Sequence, residues 1–140
     1  QVKDAVEKGA KIINGGKKPE GLKGAYYLST ILKNITRGMR VWKEEVFGPV
    51  LPVISFKTEK EAIELANDTN YGLGAEVYSK DQKRVLRVAS SIEAGAININ
   101  KGNHWLPCNP FGGYKDSGMG REHGKWGLQE LCQIKNIAIG

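Results

Sequence analysis

The sequence is poor in cysteine and has no long apolar run. Among its 140 residues there are two cysteines, Cys108 and Cys132, and neither belongs to a CxxC pair. With His104 and His123 they have neither the number nor the spacing of a metal-ligand set, so we expect no metal and a reducing, cytoplasmic setting. The sequence has no stretch of about 18 apolar residues, the minimum for a transmembrane helix, and we expect no membrane association.

An initiating methionine and a signal or transit peptide are also missing from the sequence. Val2, Ala5, Val6 and Ala10 follow the spacing of one helix face, which predicts that the chain begins within a helix ending near Gly9. We therefore expect this chain to be a fragment of a longer protein.

Clustered charge is absent as well. The net charge is +6, but the 21 basic and 15 acidic residues are spread along the chain. A nucleic-acid-binding surface needs a basic stripe with interleaved aromatic residues, and none is found. We therefore expect no nucleic-acid partner.

Glycine is abundant, at 18 of 140 residues, and it separates short periodic segments. Apolar and β-branched runs predict strands, and helical spacing after Thr58 and Asp81, both suitable N-caps, predicts helices. The predicted strands are 11–14, 25–35, 50–56, 73–78, 96–100 and 132–139; the predicted helices are 1–10, 39–43, 59–66, 82–93 and 121–131.

Strands that alternate with helices predict an α/β fold, here an open, mainly parallel sheet with flanking helices. In such sheets, ligands bind beyond the carboxyl ends of the strands. The long Gly/Pro loop 101–118 follows such a strand end, and loops of that length in compact domains are usually functional. We therefore look for a site there.

The segment 44–50 reads Glu-Glu-Val-Phe-Gly-Pro-Val. A carboxylate beside an aromatic ring could bind the two hydroxyls of a ribose and pack against a flat nicotinamide. From composition alone, a simple turn before a strand with Phe47 buried is the favoured interpretation.

That segment is similar to a signature of the aldehyde dehydrogenase superfamily. Three further segments follow in the family's order: 66–73 (Ala-Asn-Asp-Thr-Asn-Tyr-Gly-Leu), 95–100 (Gly-Ala-Ile-Asn-Ile-Asn) and 110–122 (Pro-Phe-Gly-Gly-Tyr-Lys-Asp-Ser-Gly-Met-Gly-Arg-Glu). The resemblance covers nearly the whole chain. It implies the C-terminal part of an NAD(P)-dependent aldehyde dehydrogenase subunit, with residues 1–131 in the catalytic domain and 132–140 as an oligomerisation strand. One departure is Leu28-Ser-Thr30, where the family usually carries Glu-Pro-Thr.

The resemblance also implies roles for single residues. Glu45 is similar to the carboxylate that binds the nicotinamide ribose of NAD or NADP, and Phe47 to the aromatic beside it. The positions that are similar to the lining of the family's substrate tunnel are Asn103, His104, Trp105 and Phe111. The expected partners are a small-molecule aldehyde, the rest of the subunit, and further subunits in a homo-oligomer, either a dimer or a tetramer.

In the family, a cysteine thiolate attacks the aldehyde, hydride passes to the nicotinamide, and a glutamate activates the hydrolytic water. Those groups lie upstream of the segment resembled here, so we expect no catalytic residue in this chain and no activity from the chain alone. Cys108 lacks the sequence context of the nucleophile, and His104 is more typical of a shape-giving loop residue than of a base. The alternative function is a non-catalytic assembly module that acts through its terminal strand.

Overall fold

The computed structural model describes residues 1–102 and 106–140. Within that range the chain divides into two compact units, Gln1–Lys57 and Thr58–Gly140. The sequence analysis did not anticipate a division at this point, and the separation of 132–140 as an oligomerisation segment stays a prediction.

The first unit is built around a three-stranded sheet. The central strand, Thr30–Lys33 (β2), pairs antiparallel with Lys11–Asn14 (β1) and parallel with Val50–Pro52 (β3). Its elements in chain order are α1 (Val2–Glu7), β1 (Lys11–Asn14), β2 (Thr30–Lys33), α2 (Arg40–Lys43) and β3 (Val50–Pro52). The predicted first helix, the edge strand at 11–14 and the single helical turn before residue 44 are therefore confirmed.

One face of β2 provides the core of the first unit. Thr30 and Leu32 are buried and the alternate residues are exposed, as the two-residue period of a strand requires. Leu32 and Met39 are fully buried. The remaining buried apolar residues of this core are Ala5, Ala10, Ile35 and Val41.

The strands of the first unit are shorter than predicted. The predicted strand 25–35 is confirmed only at Thr30–Lys33. At its start, the Thr30 hydroxyl donates to the carbonyl oxygen of Leu28 at 2.7 Å, a local contact that bends the chain away from a ladder. At its end, Asn34 has a left-handed φ of 60°. The predicted strand 50–56 is likewise confirmed only at its first residues, Val50–Pro52.

The second unit contains a parallel strand pair covered by helices. The strands Gly74–Val77 (β5) and Ala96–Ile99 (β6) are parallel and in register. The helix Gln82–Ser91 (α4) packs against both strands, and the helix Glu59–Asn67 (α3) packs against α4. The elements are α3 (Glu59–Asn67), β4 (Tyr71–Gly72), β5 (Gly74–Val77), α4 (Gln82–Ser91), β6 (Ala96–Ile99), β7 (Tyr114–Lys115) and α5 (Gly124–Glu130). The two-residue strands β4 and β7 pair antiparallel.

The predicted N-caps of the two long helices are confirmed. The Thr58 hydroxyl accepts from the backbone N–H of Glu61 at 3.1 Å, and the Asp81 carboxylate accepts from that of Arg84 at 3.0 Å. Each cap satisfies a donor that the first helical turn leaves without an intrahelical partner.

The α/β fold is confirmed, and the prediction of an open, mainly parallel sheet with flanking helices is supported only in part. The described strands lie in three small sheets, one mixed, one antiparallel and one parallel. In the second unit, two successive strands pair with different partners and so belong to separate sheets. Tyr71–Gly72 pair with β7, whereas Gly74–Val77, within the predicted strand 73–78, pair with β6.

Residues 132–140 carry no helix or strand, and every one of them is exposed. A strand needs a hydrogen-bonded neighbour, and no strand of the described chain lies beside this segment. The predicted pairing with another subunit therefore stays a prediction. Within residues 1–102 and 106–140, no helix has the length and apolar character needed to cross a membrane.

Candidate functional site

The segment that carries Glu45 and Phe47 leaves the end of α2 in the first unit. At Glu44 the backbone changes from helical to extended, with φ −105° and ψ 144°. Glu45 is exposed, and the Phe47 side chain is 91% exposed. The interpretation of Phe47 as a buried turn residue is therefore wrong: its aromatic ring is available to pack against a ligand.

Phe47 lies on the wall of a cleft of about 590 Å³ within the first unit. Tyr26 and Tyr27 add two more aromatic side chains to the lining, and Val46 and Pro49 add apolar surface. A flat aromatic heterocycle can pack against such a wall. Glu45, two residues before Phe47, is not part of this lining, so its carboxylate can bind only a ligand that extends beyond the cleft.

Ion pairs surround the base of this segment. The Arg40 guanidinium donates to both carboxylate oxygens of Glu44, with Nε at 2.8 Å from Oε1 and Nη2 at 2.8 Å from Oε2. These hydrogen bonds hold the pKa of Glu44 below its ordinary value. The pKa of Asp4 is also lowered, because its carboxylate accepts from the backbone N–H of Arg40 and from Lys8. Both carboxylates therefore remain charged at neutral pH.

Phe111, the predicted wall residue of the substrate tunnel, lies in the second unit at the neck of a loop. Its backbone N–H donates to the Glu122 carbonyl at 2.9 Å, and the Glu122 N–H donates to the Phe111 carbonyl at 2.8 Å. The Phe111 ring is half-buried and lies 6.2 Å from the His123 ring, tilted by 49°. Phe111 also lines a cleft of about 390 Å³ together with Leu73 and Met119.

The loop between Phe111 and Glu122 is held in shape from inside by Arg121. Its Nη1 donates to the carbonyl oxygens of Gly113 at 3.0 Å and Gly120 at 2.6 Å. Its guanidinium carbon lies 5.4 Å from the centre of the Tyr114 ring, within the range of a cation–π contact. Arg121 thus joins both arms of the loop.

A second backbone contact lies outside this neck. The Gly124 N–H donates to the Pro107 carbonyl at 3.0 Å, and Gly124 has a left-handed φ of 57°. A Cβ at Gly124 would collide with the Cys108 carbonyl oxygen, so only glycine fits here. Backbone hydrogen bonds at two places, between Phe111 and Glu122 and between Pro107 and Gly124, therefore close the chain from Pro107 to Gly124 into a loop.

Lys115 anchors this loop to the rest of the second unit, a role that the sequence analysis missed. Its ammonium group donates to the carbonyl oxygens of Asn67 at 2.8 Å and Thr69 at 3.0 Å, and it pairs with the Glu93 carboxylate at 2.7 Å. A lysine is a suitable donor to the last carbonyls of a helix such as α3. However, no local pattern indicates such a contact across 48 residues.

The remaining predicted site residues have different outcomes. Asn103, His104 and Trp105 lie outside the described residues, so their place in a substrate site stays a prediction. Glu45, Phe47 and Phe111 are described, the first two in one unit and the third in the other, and their predicted roles with cofactor and substrate stay predictions. Cys108 is exposed, and its sulfur lies 3.8 Å from the amide oxygen of Asn109.

Comparison with known proteins gives a consistent result. The model of the aldehyde dehydrogenase family matches residues 1–137. The chain is 50% identical to the chloroplastic betaine aldehyde dehydrogenase of Atriplex hortensis over 137 residues, which is 97% of this chain. It is 46% identical to the peroxisomal aminoaldehyde dehydrogenase 1 of Pisum sativum over the same share of this chain.

A solved structure has the same fold. The betaine aldehyde dehydrogenase of Staphylococcus aureus, crystallised in complex with NAD+, superimposes with a TM-score of 0.86 and 45% sequence identity. The superposition covers 91% of this chain and 26% of the bacterial enzyme. Likewise, the chain spans 27% of the length of the two plant relatives.

Proposed function

The chain belongs to the aldehyde dehydrogenase family, and we propose that it is the C-terminal part of a subunit that oxidises an aldehyde to a carboxylic acid with NAD(P)+. The observation that carries the proposal is the Glu45–Phe47 segment, where an exposed carboxylate lies two residues before an aromatic ring on a cleft wall. This is the chemistry that a ribose diol and a nicotinamide ring require.

NAD+ is the proposed cofactor, with NADP+ as the alternative. The bacterial betaine aldehyde dehydrogenase of the same fold was crystallised with NAD+, which supports the first. In the proposed arrangement, the Glu45 carboxylate accepts from the two ribose hydroxyls, and the Phe47 ring limits the movement of the nicotinamide. Both residues position the cofactor, and neither takes part in a bond that is made or broken.

For the substrate we propose a small aldehyde that carries an amino or quaternary ammonium group. The names of the two plant relatives refer to betaine aldehyde and aminoaldehydes. Phe111 at the neck of its loop offers an aromatic face, and aromatic faces attract organic cations. Trp105 and His104 are proposed to line the same site, and Asn103 to contribute a polar contact.

The nucleophilic cysteine, the glutamate base and the oxyanion donors are proposed to come from the rest of the subunit. The thiolate forms a thiohemiacetal, hydride leaves its carbon for the nicotinamide, and water hydrolyses the thioester. The chain alone is then inactive. Purified chain, mixed with NAD+ and betaine aldehyde, should produce no NADH; turnover that disappears in Cys108→Ala would overturn this assignment.

The decisive experiment compares the two proposed walls in the full subunit. Glu45→Gln should raise the Kd for NADH by about tenfold while leaving the KM for the aldehyde unchanged. Phe111→Ala should do the reverse, raising the KM for the aldehyde alone. Glu20→Gln is the matched control, because it removes an exposed carboxylate in a loop of the same unit. If both variants bind NADH and aldehyde like the wild type, the assignment fails.

A second candidate function is assembly through residues 132–140. These residues are all exposed, and Ile134, Ile137 and Ile139 are at least three-quarters exposed. An apolar segment without a neighbour can add to the sheet edge of a second subunit in a homo-oligomer. Deleting 132–140 from the full subunit should shift its size-exclusion elution from dimer or tetramer to monomer; an unchanged elution would refute this role.

The compartment is proposed to be the cytoplasm, although the plant relatives are named chloroplastic and peroxisomal.

A further inference from the structure

An ion pair lies directly before the residues assigned to the cofactor. We propose that Glu44, bound by Arg40, is a positioning residue: it fixes the direction in which the Glu45–Phe47 segment leaves α2, and through that segment it sets the affinity for the dinucleotide. The inference rests on the proposed function, because it needs Glu45 and Phe47 to contact the nicotinamide ribose.

The pair between Arg40 and Glu44 is bidentate. Arg40 Nε lies 2.8 Å from Oε1 and 3.0 Å from Oε2 of Glu44, and Nη2 lies 2.8 Å from Oε2. The planar guanidinium and the planar carboxylate therefore share one orientation, which a single lysine contact could not impose. Both side chains remain about half exposed, so the pair contributes little to stability and its main effect is on geometry.

Glu44 is the residue at which the helix ends. Its backbone N–H still donates to the Arg40 carbonyl at 2.8 Å, whereas its own φ and ψ are extended. Side chain and backbone of Glu44 are thus bound to the same residue one turn earlier. The amide of Gln1 adds contacts to Glu44 Oε2 at 3.3 Å and to the Glu45 carbonyl at 3.2 Å.

Arg40 is itself held on the opposite side. Its backbone N–H donates to Asp4 Oδ2 at 2.8 Å, so a side chain of α1 fixes the start of α2. The flanking residues Met39 and Val41 are buried in the core of the first unit. The helix therefore has little freedom to rotate, and the bidentate pair transfers that fixed orientation to Glu44.

Downstream, the next backbone contact of the chain to a neighbouring strand is at Pro49, whose carbonyl accepts from the Thr30 N–H at 2.8 Å. Between Glu44 and Pro49 lie the two proposed cofactor residues together with Val46 and Gly48, and Val46 packs against the core of the first unit. The Phe47 side chain is too exposed for packing to fix its direction. The orientation of this short span is thus determined by its two ends, by Val46 and by the contact of Gln1 with the Glu45 carbonyl, and Glu44 forms the end nearer to Glu45.

The test measures NADH binding by the full subunit, through the change in NADH fluorescence, together with the thermal unfolding midpoint. Glu44→Gln and Arg40→Met should each raise the Kd for NADH by about threefold to fivefold. The KM for NAD+ should rise with it, while the KM for the aldehyde stays unchanged. Because the two residues act as one unit, the double variant should be no worse than either single variant.

The second unit provides a matched control. Arg87 Nε and Nη2 lie 2.6 Å and 2.7 Å from the Glu59 oxygens, in a bidentate pair that joins α3 and α4. Glu59→Gln and Arg87→Met should lower the unfolding midpoint at least as much as the variants at 40 and 44, with the Kd for NADH unchanged.

Three results would contradict the inference. An unchanged Kd in Glu44→Gln overturns it and leaves the proposed function standing, provided that Glu45→Gln still weakens binding. An equal rise of the Kd in the control pair overturns it as well, because the effect would then follow from stability alone. A wild-type subunit that binds neither NADH nor NADPH refutes the proposed function and the inference together.

Discussion

The two units of the chain are stabilised in different ways. The first unit buries a contiguous apolar core around Leu32 and Met39. In the second unit, among the residues that the structure describes, Val85 and Ala94 are the buried apolar side chains. Its loops are held instead by backbone contacts and by polar side chains such as Lys115.

This difference concerns the two sets of proposed site residues, one in each unit. The proposed cofactor residues Glu45 and Phe47 belong to the unit with an apolar core, where stability depends on how well side chains fill space. Phe111 projects from a unit where backbone segments approach each other closely, often at glycine. We therefore expect the first unit to be sensitive to the removal of atoms and the second to their addition.

The largest expected effect is a cavity in the first unit. Leu32→Ala removes a fully buried side chain and should destabilise this unit by about 2–5 kcal/mol. Hydrogen exchange measured by mass spectrometry should show faster exchange in peptides from residues 1–57, with little change in 58–140. Ile31→Ala, at the exposed neighbouring position of the same strand, is the control and should change exchange much less. Equal effects of the two variants would contradict the core described above.

The next largest destabilisation is expected when a single methyl group is added to the second unit. A Cβ at Gly95 would collide with the backbone carbonyl of Gly112, so Gly95→Ala should cost about 1–3 kcal/mol. Gly74→Ala is the control, because its Cβ would lie 3.7 Å from the Ala96 carbonyl oxygen, an ordinary van der Waals distance. Hydrogen exchange of residues 95–122 should accelerate in the first variant only. Similar exchange in both variants would show that the close approach is not needed.

A polar contact should have a somewhat smaller effect. Lys115→Met keeps most of the side-chain volume but removes the donor to Asn67 and Thr69, and it should cost about 1–2 kcal/mol. The substitution of exposed Lys80 by methionine controls for the loss of one positive charge. Limited proteolysis should cut between 107 and 124 faster in Lys115→Met than in Lys80→Met. Equal cleavage rates would indicate that the loop does not depend on this anchor.

The smallest effect depends on pH. Arg87 lowers the pKa of Glu59 from the ordinary value of 4.5 through its hydrogen bonds. Because the pKa is lower in the folded state than in the unfolded state, the stabilisation is present above about pH 4.5 and is lost as the pH falls through the folded pKa. The unfolding midpoint of Glu59→Gln should thus lie below that of the wild type at pH 7 and approach it in acid. A constant difference between pH 7 and acid would contradict the ionised pair.

The parts of the fold that local chemistry determines could be predicted from the sequence. Thr58 and Asp81 cap their helices as expected, because an N-cap contact spans only three residues. The pairing of Tyr71–Gly72 with Tyr114–Lys115 could not be predicted, since two residues give no strand periodicity and their partners are 44 and 42 positions away along the chain. The division of the strands into three small sheets could not be predicted for the same reason, because strand pairing is a non-local property.

The site roles of Glu45, Phe47 and Phe111 came from the resemblance and stay predictions. Composition alone favoured a buried Phe47, whereas the residue is exposed. The direction of this segment depends on how α2 ends at Glu44, and α2 itself is held at its first residue by Asp4, a side chain of α1 from the start of the sequence. Lys115 was missed because its partners belong to a helix end far away along the chain.

The backbone closure between Pro107 and Gly124 has a consequence for how new specificities could evolve or be engineered. Its two levels of hydrogen bonds use main-chain groups at Phe111, Glu122, Pro107 and Gly124, which every amino-acid exchange except one to proline preserves. Side chains on the segment that is proposed to line the substrate site can then diverge while the scaffold keeps its shape. Gly124 is the exception that must be retained, and transplanting this segment between homologous enzymes should succeed only if that glycine is transplanted with it.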